Sequence, residues 1–293
     1  MNERIVRIPQ EIIAIPNKQN ILKLNGLSVI GSCSFTQEVS GSLFLEDHLL
    51  LFVQHGIFSV NYGGNIYVVH ENEMIFLKKA IVIHYKKSGD HKNDNLLEYQ
   101  MFFLKDELLR EFCKMANIKP MQPEVTVPIS IKPVNERLTK YVDSIKPYFN
   151  ECENIDKTLI KIKLLELLYD LTAADRDLMN QLLQLKQQVR SNIPKVVEEN
   201  ILNPVSISDL AYLSGRSLSS FNREFQSIYN MSPHQWIRER RLARAKELLL
   251  STSMSVTDIC FMTGFENIAH FSRTFKGHYG YSPISYKQKY SYV

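Results

Sequence analysis

Asn222, Arg223 and Gln226 stand close together behind Ser219 and Ser220, and their side chains share one kind of chemistry. An asparagine amide can bond the N6 and N7 positions of adenine in bidentate fashion, and an arginine guanidinium can do the same to the O6 and N7 of guanine. A second group, His270, Ser272, Arg273 and Lys276, follows at an offset of 50 positions. In the segment Ser217 to Tyr229 the helical period puts Leu218, Phe221, Phe225 and Ile228 on an inner stripe. Ser219, Ser220, Asn222, Arg223 and Gln226 are then left outward. In Asn267 to Lys276 the inner residues are Phe271 and Phe275, and His270, Ser272, Arg273 and Lys276 face out.

Such side chains need an element that carries them into a groove, and the surrounding sequence supplies it twice. Ser206-Ile-Ser-Asp-Leu-Ala-Tyr-Leu-Ser-Gly215 aligns with Ser255-Val-Thr-Asp-Ile-Cys-Phe-Met-Thr-Gly264 at an offset of 49. Phe221, Arg223, Phe225, Tyr229 and Ser232-Pro233 recur as Phe271, Arg273, Phe275, Tyr279 and Ser282-Pro283 at an offset of 50. The slip of one residue falls in the turn. Each copy has a Ser-x-x-Asp capping box, a short helix with a small residue (Ala211 or Cys260), a turn glycine and a second amphipathic helix, the parts of a helix-turn-helix. Ser232 and Pro233 open one continuous helix through Leu250, a spacer expected to hold two recognition helices about 34 Å apart on one face of a duplex. Its Arg238, Arg240, Arg241, Arg244 and Lys246 are candidates either for phosphate contacts or for a solvated, internally paired face.

Charge follows the same division. The chain of 293 residues carries a formal net charge of +4, with 13 Lys+Arg against 8 Asp+Glu from Arg190 onward and 22 against 23 before it. The basic excess sits with the duplicated motif, as a phosphate-binding module requires. The amino terminus has early charges and a proline where a signal peptide needs an apolar core, and no apolar run is long enough to span a bilayer. We expect a cytoplasmic protein with no membrane partner. Cys33, Cys113, Cys152 and Cys260 lie far apart without a C-x-x-C pair, which suits buried thiols in a reducing compartment.

The front half reads differently. Leu49 to Val53, Gly56 to Tyr62, Ile66 to Val69, Met74 to Leu77, Ile81 to Tyr85 and Tyr99 to Leu104 read as short strands, and Gly63-Gly64-Asn65 reads as a hairpin turn. A small β-barrel is expected. Helical periods follow: Val134, Leu138, Tyr141, Val142, Ile145 and Phe149 on one face, then Ile155, Leu159, Ile162, Leu165 and Leu168 on another. These make two antiparallel helices. The stretch Leu159 to Leu171 is apolar beyond a single stripe, so its extra face is covered either by the barrel or by a second subunit. Leu178, Leu182, Leu185 and Val189 continue as a polar, glutamine-rich helix that connects to the basic domain.

Residues 193 to 290 resemble the DNA-binding domain of the AraC/XylS family of bacterial transcription regulators. The resemblance rests on both helix-turn-helix units, on Arg240-Arg241-Leu-Ala-Arg-Ala-Lys-Glu-Leu-Leu249, and on Val256 to Phe265, Phe271 to Lys276 and Tyr281 to Tyr286. It implies base contacts from Ser219, Asn222 and Arg223 in the first unit and from Ala269, His270 and Arg273 in the second, although an alanine side chain has no hydrogen bond to offer. It also implies a cupin-like sensor barrel in front, RNA polymerase as a partner, and activation of transcription; a homodimer is expected from the over-wide apolar face of Leu159 to Leu171. The expected fold is α+β: a cupin-like β-barrel over 1–132, a helical dimerisation and linker region over 133–190, and an all-α double helix-turn-helix domain over 191–293.

An enzyme is not expected. His48, His55, His70, His84 and His91 lie in the front half, but no H-x-H occurs and His70-Glu-Asn-Glu-Met74 stops short of H-E-x-x-H. Gly26-Leu-Ser-Val-Ile-Gly31 is one residue too long for a G-x-S-x-G nucleophile turn. No cofactor or metal is expected. For the effector, two readings stand: a small molecule among Phe52, Phe58, Tyr67, Phe76 and Tyr85 inside the barrel, or a protein partner docked on the barrel or the helices. Lys78-Lys79 and Lys86-Lys87 are either an anion-receiving set or solubilising strand-end charges.

Overall fold

The computed structural model describes residues 5–12, 18–89, 95–118, 127–151, 155–184 and 191–290. Two compact units divide it, one spanning Val6–Leu185 and the other Lys186–Val293 together with the first five residues.

In the first unit the chain makes β1 (Ile5–Ile8), β2 (Lys18–Leu24), β3 (Leu27–Phe35), β4 (Val39–Leu45), β5 (His48–His55), β6 (Ile57–Tyr62), β7 (Asn65–Val69), β8 (Glu73–Leu77), β9 (Val82–Ser88) and β10 (Leu97–Leu104). Helix α1 (Asp106–Met115), strand β11 (Ile129–Pro133), and helices α2 (Glu136–Ile145), α3 (Lys157–Ala174) and α4 (Arg176–Leu182) follow. The strands form a five-stranded sheet, β1-β4-β9-β6-β7, and a six-stranded sheet, β11-β8-β5-β10-β3-β2. The hairpin expected at Gly63-Gly64 joins β6 to β7, with Tyr62 opposite Asn65 and both glycines at positive φ, 59° and 82°.

The run Leu49 to Val53 has a simple cause. Leu49, Leu51 and Val53 point between the two sheets, while Leu50 and Phe52 point to the other side of the six-stranded sheet, where α1 to α4 cover it. A strand buried on both faces needs apolar residues at every position. In β9, whose outer face is solvated, buried and open positions alternate: Ile83, Tyr85 and Lys87 are buried, His84 and Lys86 exposed.

This layering corrects several expectations. Phe58 and Tyr85 lie between the sheets, but Phe52 and Phe76 belong to the helix-facing core, so the five aromatic residues do not surround one cavity. Of the two lysine pairs only Lys86 is an exposed charge. Lys78 is buried and donates to Gln184 Oε1, Lys79 pairs with Asp106 at 2.7 Å, and Lys86 pairs with Glu38 at 3.2 Å. Lys87 is buried with its ammonium 4.2 Å from the Phe35 ring centroid, 4.6 Å from that of Tyr85 and 5.0 Å from that of Tyr99, and it donates to the Tyr99 hydroxyl. Burial pushes its pKa down to about 8. His48 is fully buried; burial first, then the charges of Lys79 and Lys78, pushes it down to about 3. Its Nδ1 accepts from the Lys79 amide, and among the described residues its Nε2 has no partner.

The helices α2 and α3 are antiparallel, as expected. Arg137 pairs with Asp170 at 2.6 Å, and the Tyr141 hydroxyl donates to the Lys163 carbonyl at 2.7 Å. The buried stripe of α3 is Ile160, Leu164, Leu167, Leu168 and Leu171, whereas Leu159 and Ile162, expected inside, are 37% and 53% exposed. The register differs because α2, α4 and β2 pack against α3 and its Ile160, Leu164, Leu167, Leu168 and Leu171 close the helix-facing core. Segment α4 is no free connector: Asp175 ends α3 and caps α4, whose Leu178, Met179 and Leu182 join the same core. Leu185 and Val189 of the expected connector lie outside the described residues, as do His91 and Cys152. Cys33 and Cys260 are buried, and Cys113 is half-buried rather than enclosed. Among the described residues no helix is long and apolar enough to cross a membrane, and no cluster of three His, Cys, Asp or Glu could hold a metal.

Candidate nucleic-acid interface

The second unit is all-helical: α5 (Ile193–Asn200), α6 (Ile207–Leu213), α7 (Leu218–Tyr229), α8 (Pro233–Ser251), α9 (Val256–Met262), α10 (Ile268–Tyr279) and α11 (Pro283–Tyr290). Local chemistry sets each helix start. Ser206 and Asp209 close a full capping box on α6, with Asp209 N donating to Ser206 Oγ at 3.2 Å and Ser206 N to Asp209 Oδ2 at 2.8 Å. On α9 the Asp258 amide donates to Ser255 Oγ at 3.1 Å. Ser217 caps α7 and Asn267 caps α10. The two turns need left-handed backbone, supplied by Gly215 at φ 69° and Gly264 at φ 79°.

The repeat persists in the packing. Phe225 meets Tyr229 at 4.5 Å and Trp236 at 5.8 Å between ring centroids; Phe275 meets Tyr279 at 4.7 Å and Tyr286 at 5.5 Å. Each aromatic set clamps the end of its recognition helix onto the helix that follows. Helix α11 thus repeats the opening of α8, a correspondence that the shared Ser-Pro start signals.

With the inner faces fixed, the outer residues fall into two stripes. On α7, Ser219, Asn222, Arg223 and Gln226 are all exposed, at spacings of three and four that keep them on one side. On α10, Ala269, Arg273 and Lys276 are exposed at the positions of Ser219, Arg223 and Gln226, His270 is exposed where Ser220 is half-buried, and Ser272 is half-buried where Asn222 is exposed. Ser220 is half-buried and its amide is held by the Ser217 cap. The inner stripe of α7 is narrower than expected: Phe221 and Phe225 are buried, but Leu218 is 47% and Ile228 48% exposed. A recognition helix packs mainly on one short partner, and two phenylalanines fill that contact. Leu218 and its counterpart Ile268, 39% exposed, therefore stand at the first turn of each recognition helix, where an aliphatic group suits a thymine methyl.

The cations of α8 have separate fates. Arg241 is a structural clamp: its guanidinium donates to the carbonyls of Ile201 at 2.7 Å, Asn203 at 2.7 Å and Gly264 at 2.8 Å. Arg216 does similar work at the first turn, bonding Glu224 at 2.8 Å and the carbonyls of Ser191 and Ser214 at 2.7 and 2.6 Å. Arg240 lies 5.4 Å over the Trp236 ring, Lys246 lies 5.4 Å over the Tyr279 ring, and Arg244 pairs with Glu247 at 2.9 Å. Residue type alone could not sort these roles, since the partner carbonyls come from remote parts of the chain.

Comparison with known proteins agrees with both units. A helix-turn-helix domain family matches residues 210–289, and the ExsA N-terminal regulatory domain family matches residues 48–185. The chain is similar to the HTH-type transcriptional regulator ExsA of Pseudomonas aeruginosa, with 32% identity over 44% of this chain and 46% of that protein. It is also similar to the thermoregulatory protein LcrF of Yersinia pestis, with 25% identity over 81% of this chain and 88% of that one. The match thus spans just under half of ExsA and most of LcrF. Among solved structures, apo ToxT from Vibrio cholerae aligns over 89% of this chain and 97% of its own at 10% identity and a TM-score of 0.44. The two family matches lie on the two units that the structure separates, so the chain joins a helix-turn-helix domain to an ExsA-type N-terminal regulatory domain, the domain pair of AraC-type transcription regulators.

Proposed function

We propose that the chain is a sequence-specific regulator of transcription that reads two adjacent major-groove segments of double-stranded DNA. The observation that carries this reading is the pair of exposed stripes on α7 and α10 of a duplicated helix-turn-helix unit, with Arg223 and Gln226 of one at the positions of Arg273 and Lys276 of the other. In it, Asn222, Arg223 and Gln226 bond base edges in one segment, with Ser219 at the edge of the contact. His270, Arg273 and Lys276 serve the other, joined by Ser272 where its half-buried hydroxyl reaches the groove. Activation rather than repression is favoured by relatives such as the virulence regulon transcriptional activator VirF of Yersinia enterocolitica, 31% identical over 43% of this chain. An activator in the cytoplasm meets RNA polymerase as its further partner.

The division of labour we assign is sensing in 1–132, dimerisation and linkage in 133–190, and DNA binding in 191–293. Rings and aliphatic side chains fill the space between the two sheets around Lys87. That packing favours control by a protein docked on the outside over a small molecule held in a preformed interior pocket. A homodimer through α3 is supported by Leu159, Ile162 and Tyr169, exposed on one strip of that helix beside half-buried Leu165.

The test is selection of a site from a random duplex pool by the full chain, followed by binding of Arg223→Ala and Arg273→Ala. Each variant is expected to lose about 1 to 3 kcal/mol on the selected site and much less on random DNA, because a base contact carries sequence information. Equal loss on both DNAs would show that these arginines hold the backbone or the fold.

A further inference from the structure

We propose that Arg238, with His234 one helical turn before it on α8, forms a phosphodiester site that grips the DNA backbone between the two major-groove segments. The inference rests on the DNA-reading function above and adds a contact between its two reading helices.

Of the five cations on α8, four are engaged within the unit: Arg241 by three carbonyls, Arg240 and Lys246 by rings, Arg244 by Glu247. Arg238 is exposed and, among the described residues, has no hydrogen bond, ion pair or ring contact. An arginine so placed keeps its full fork of donors for something outside the chain. His234 is likewise exposed, and the spacing of four puts it on the same side of the helix.

Location narrows what that partner is. Both side chains line a cleft of about 540 Å³, together with Ser206 at the start of α6 and Gly264, Asn267 and His270 at the start of α10. His270 is one of the exposed residues of the second reading stripe, so the cleft opens on the side that α10 presents to DNA. Glu266, the carboxylate in the lining, has a partner of its own, and that partner is not Arg238. Between two adjacent major-groove segments a duplex turns its minor groove and its flanking sugar-phosphate strands toward the protein. Those strands carry about one negative charge per 1.7 Å of axis, and a guanidinium matches a phosphate with two parallel N–H bonds. A contact of this kind fixes the register of both reading helices on the duplex and carries no sequence information.

The experiment uses the full chain, a random-sequence duplex of about 30 base pairs and the selected site, with affinity measured by fluorescence anisotropy across a salt series. Arg238→Gln should weaken binding by the same factor on both DNAs and make the salt slope shallower by about 0.9, the loss of one phosphate. Arg238→Lys should keep the slope, and His234→Gln should weaken both DNAs equally with the slope intact. Among the described residues Arg238 makes no hydrogen bond, ion pair or ring contact, so the glutamine variant should unfold at the wild-type urea midpoint, which separates lost binding from lost folding. An unchanged slope and affinity would overturn the site while leaving the reading function standing. Loss on the selected site alone would overturn it by making Arg238 a base reader. A wild-type chain that binds neither duplex would overturn both readings.

Discussion

Arg241 is where residue type and position point one way and geometry another, which makes it the sharpest single test. It lies on the basic spacer helix, yet its guanidinium ties α8 to the carbonyls of Ile201, Asn203 and Gly264. Arg241→Met keeps the stem and removes all three bonds. A hydrogen bond from a charged group contributes about 1.5 kcal/mol at the low end, so three give roughly 4 to 5 kcal/mol before solvent is counted. The group is half-buried, and water can rebond some of the carbonyls; about 2 to 3 kcal/mol is the expected loss. For a unit of roughly 100 residues that lowers the melting temperature by about 10 to 20 °C. The chain has a single tryptophan, Trp236, which sits on α8 against Tyr229 at 4.6 Å, so its fluorescence during urea unfolding reports on this unit. Gly264→Ala should fail by the same route, because an added Cβ would stand 2.8 Å from the guanidinium at a φ of +79°. The two changes should be less than additive. If Arg241→Met unfolds at the wild-type midpoint and instead makes the salt slope of DNA binding shallower, Arg241 is a phosphate ligand and the clamp argument is wrong.

Three further outcomes are expected in the front unit. The Lys87 proton leaves the fold at about 8 but the unfolded chain near 10.5, so its burial costs the most below pH 8 and stability rises through that window; Lys87→Met should stabilise by up to roughly 3 kcal/mol at neutral pH, with the gain vanishing toward pH 10.5. A gain that is flat with pH would show the ammonium is not the cause. His48, held neutral down to about 3, acts with the same sign at the acid end: stability falls as pH drops below 6.5, and His48→Gln should flatten that part of the acid-unfolding curve, whereas an unaltered curve would refute the assignment. Leu159→Glu with Ile162→Glu should give folded monomers by sedimentation, while Leu164→Glu with Leu167→Glu, both fully buried, should unfold; a wild-type chain that is monomeric at high concentration would remove the dimer.

What the sequence disclosed followed one physical rule. A continuous apolar run or a strict alternation survives any reasonable fold, so β5 and the hairpin at Gly63-Gly64 were legible, and so was the double helix-turn-helix. Strands β1 to β4 were not, because segments such as Val39-Ser-Gly-Ser-Leu43 show little alternation until neighbours pair with them. Lys87 illustrates a different blindness. Two adjacent lysines read as a solvated pair, but a period of two sends one of them inward, here into a box of rings. On α3 the apolar width was plain, yet only the placement of α2, α4 and β2 could choose Leu164 over Leu159 as the buried side. For the candidate site, the outward residues of α7 and α10 followed from their phenylalanines, whereas Arg241 depended on carbonyls up to 40 residues away.

The duplication separates what packing requires from what recognition is free to change. Positions that face inward are kept or exchanged within one class: Phe221 with Phe271, Phe225 with Phe275, Tyr229 with Tyr279, and Trp236 with Tyr286. Each pair must fill a similar hole, and a core tolerates little change of volume. Positions that face outward diverge. Ser219 faces Ala269 in the alignment, Ser220 faces His270, Asn222 faces Ser272 and Gln226 faces Lys276; only Arg223 and Arg273 agree. On the DNA-reading function proposed here, the two heads share a scaffold and one guanine-suited arginine but differ in every other donor and acceptor they offer. Two heads with different chemistry on one rigid spacer read two different half-sites in a fixed order. The site of a single chain is therefore directional rather than palindromic, and any symmetry in a target must come from a second chain.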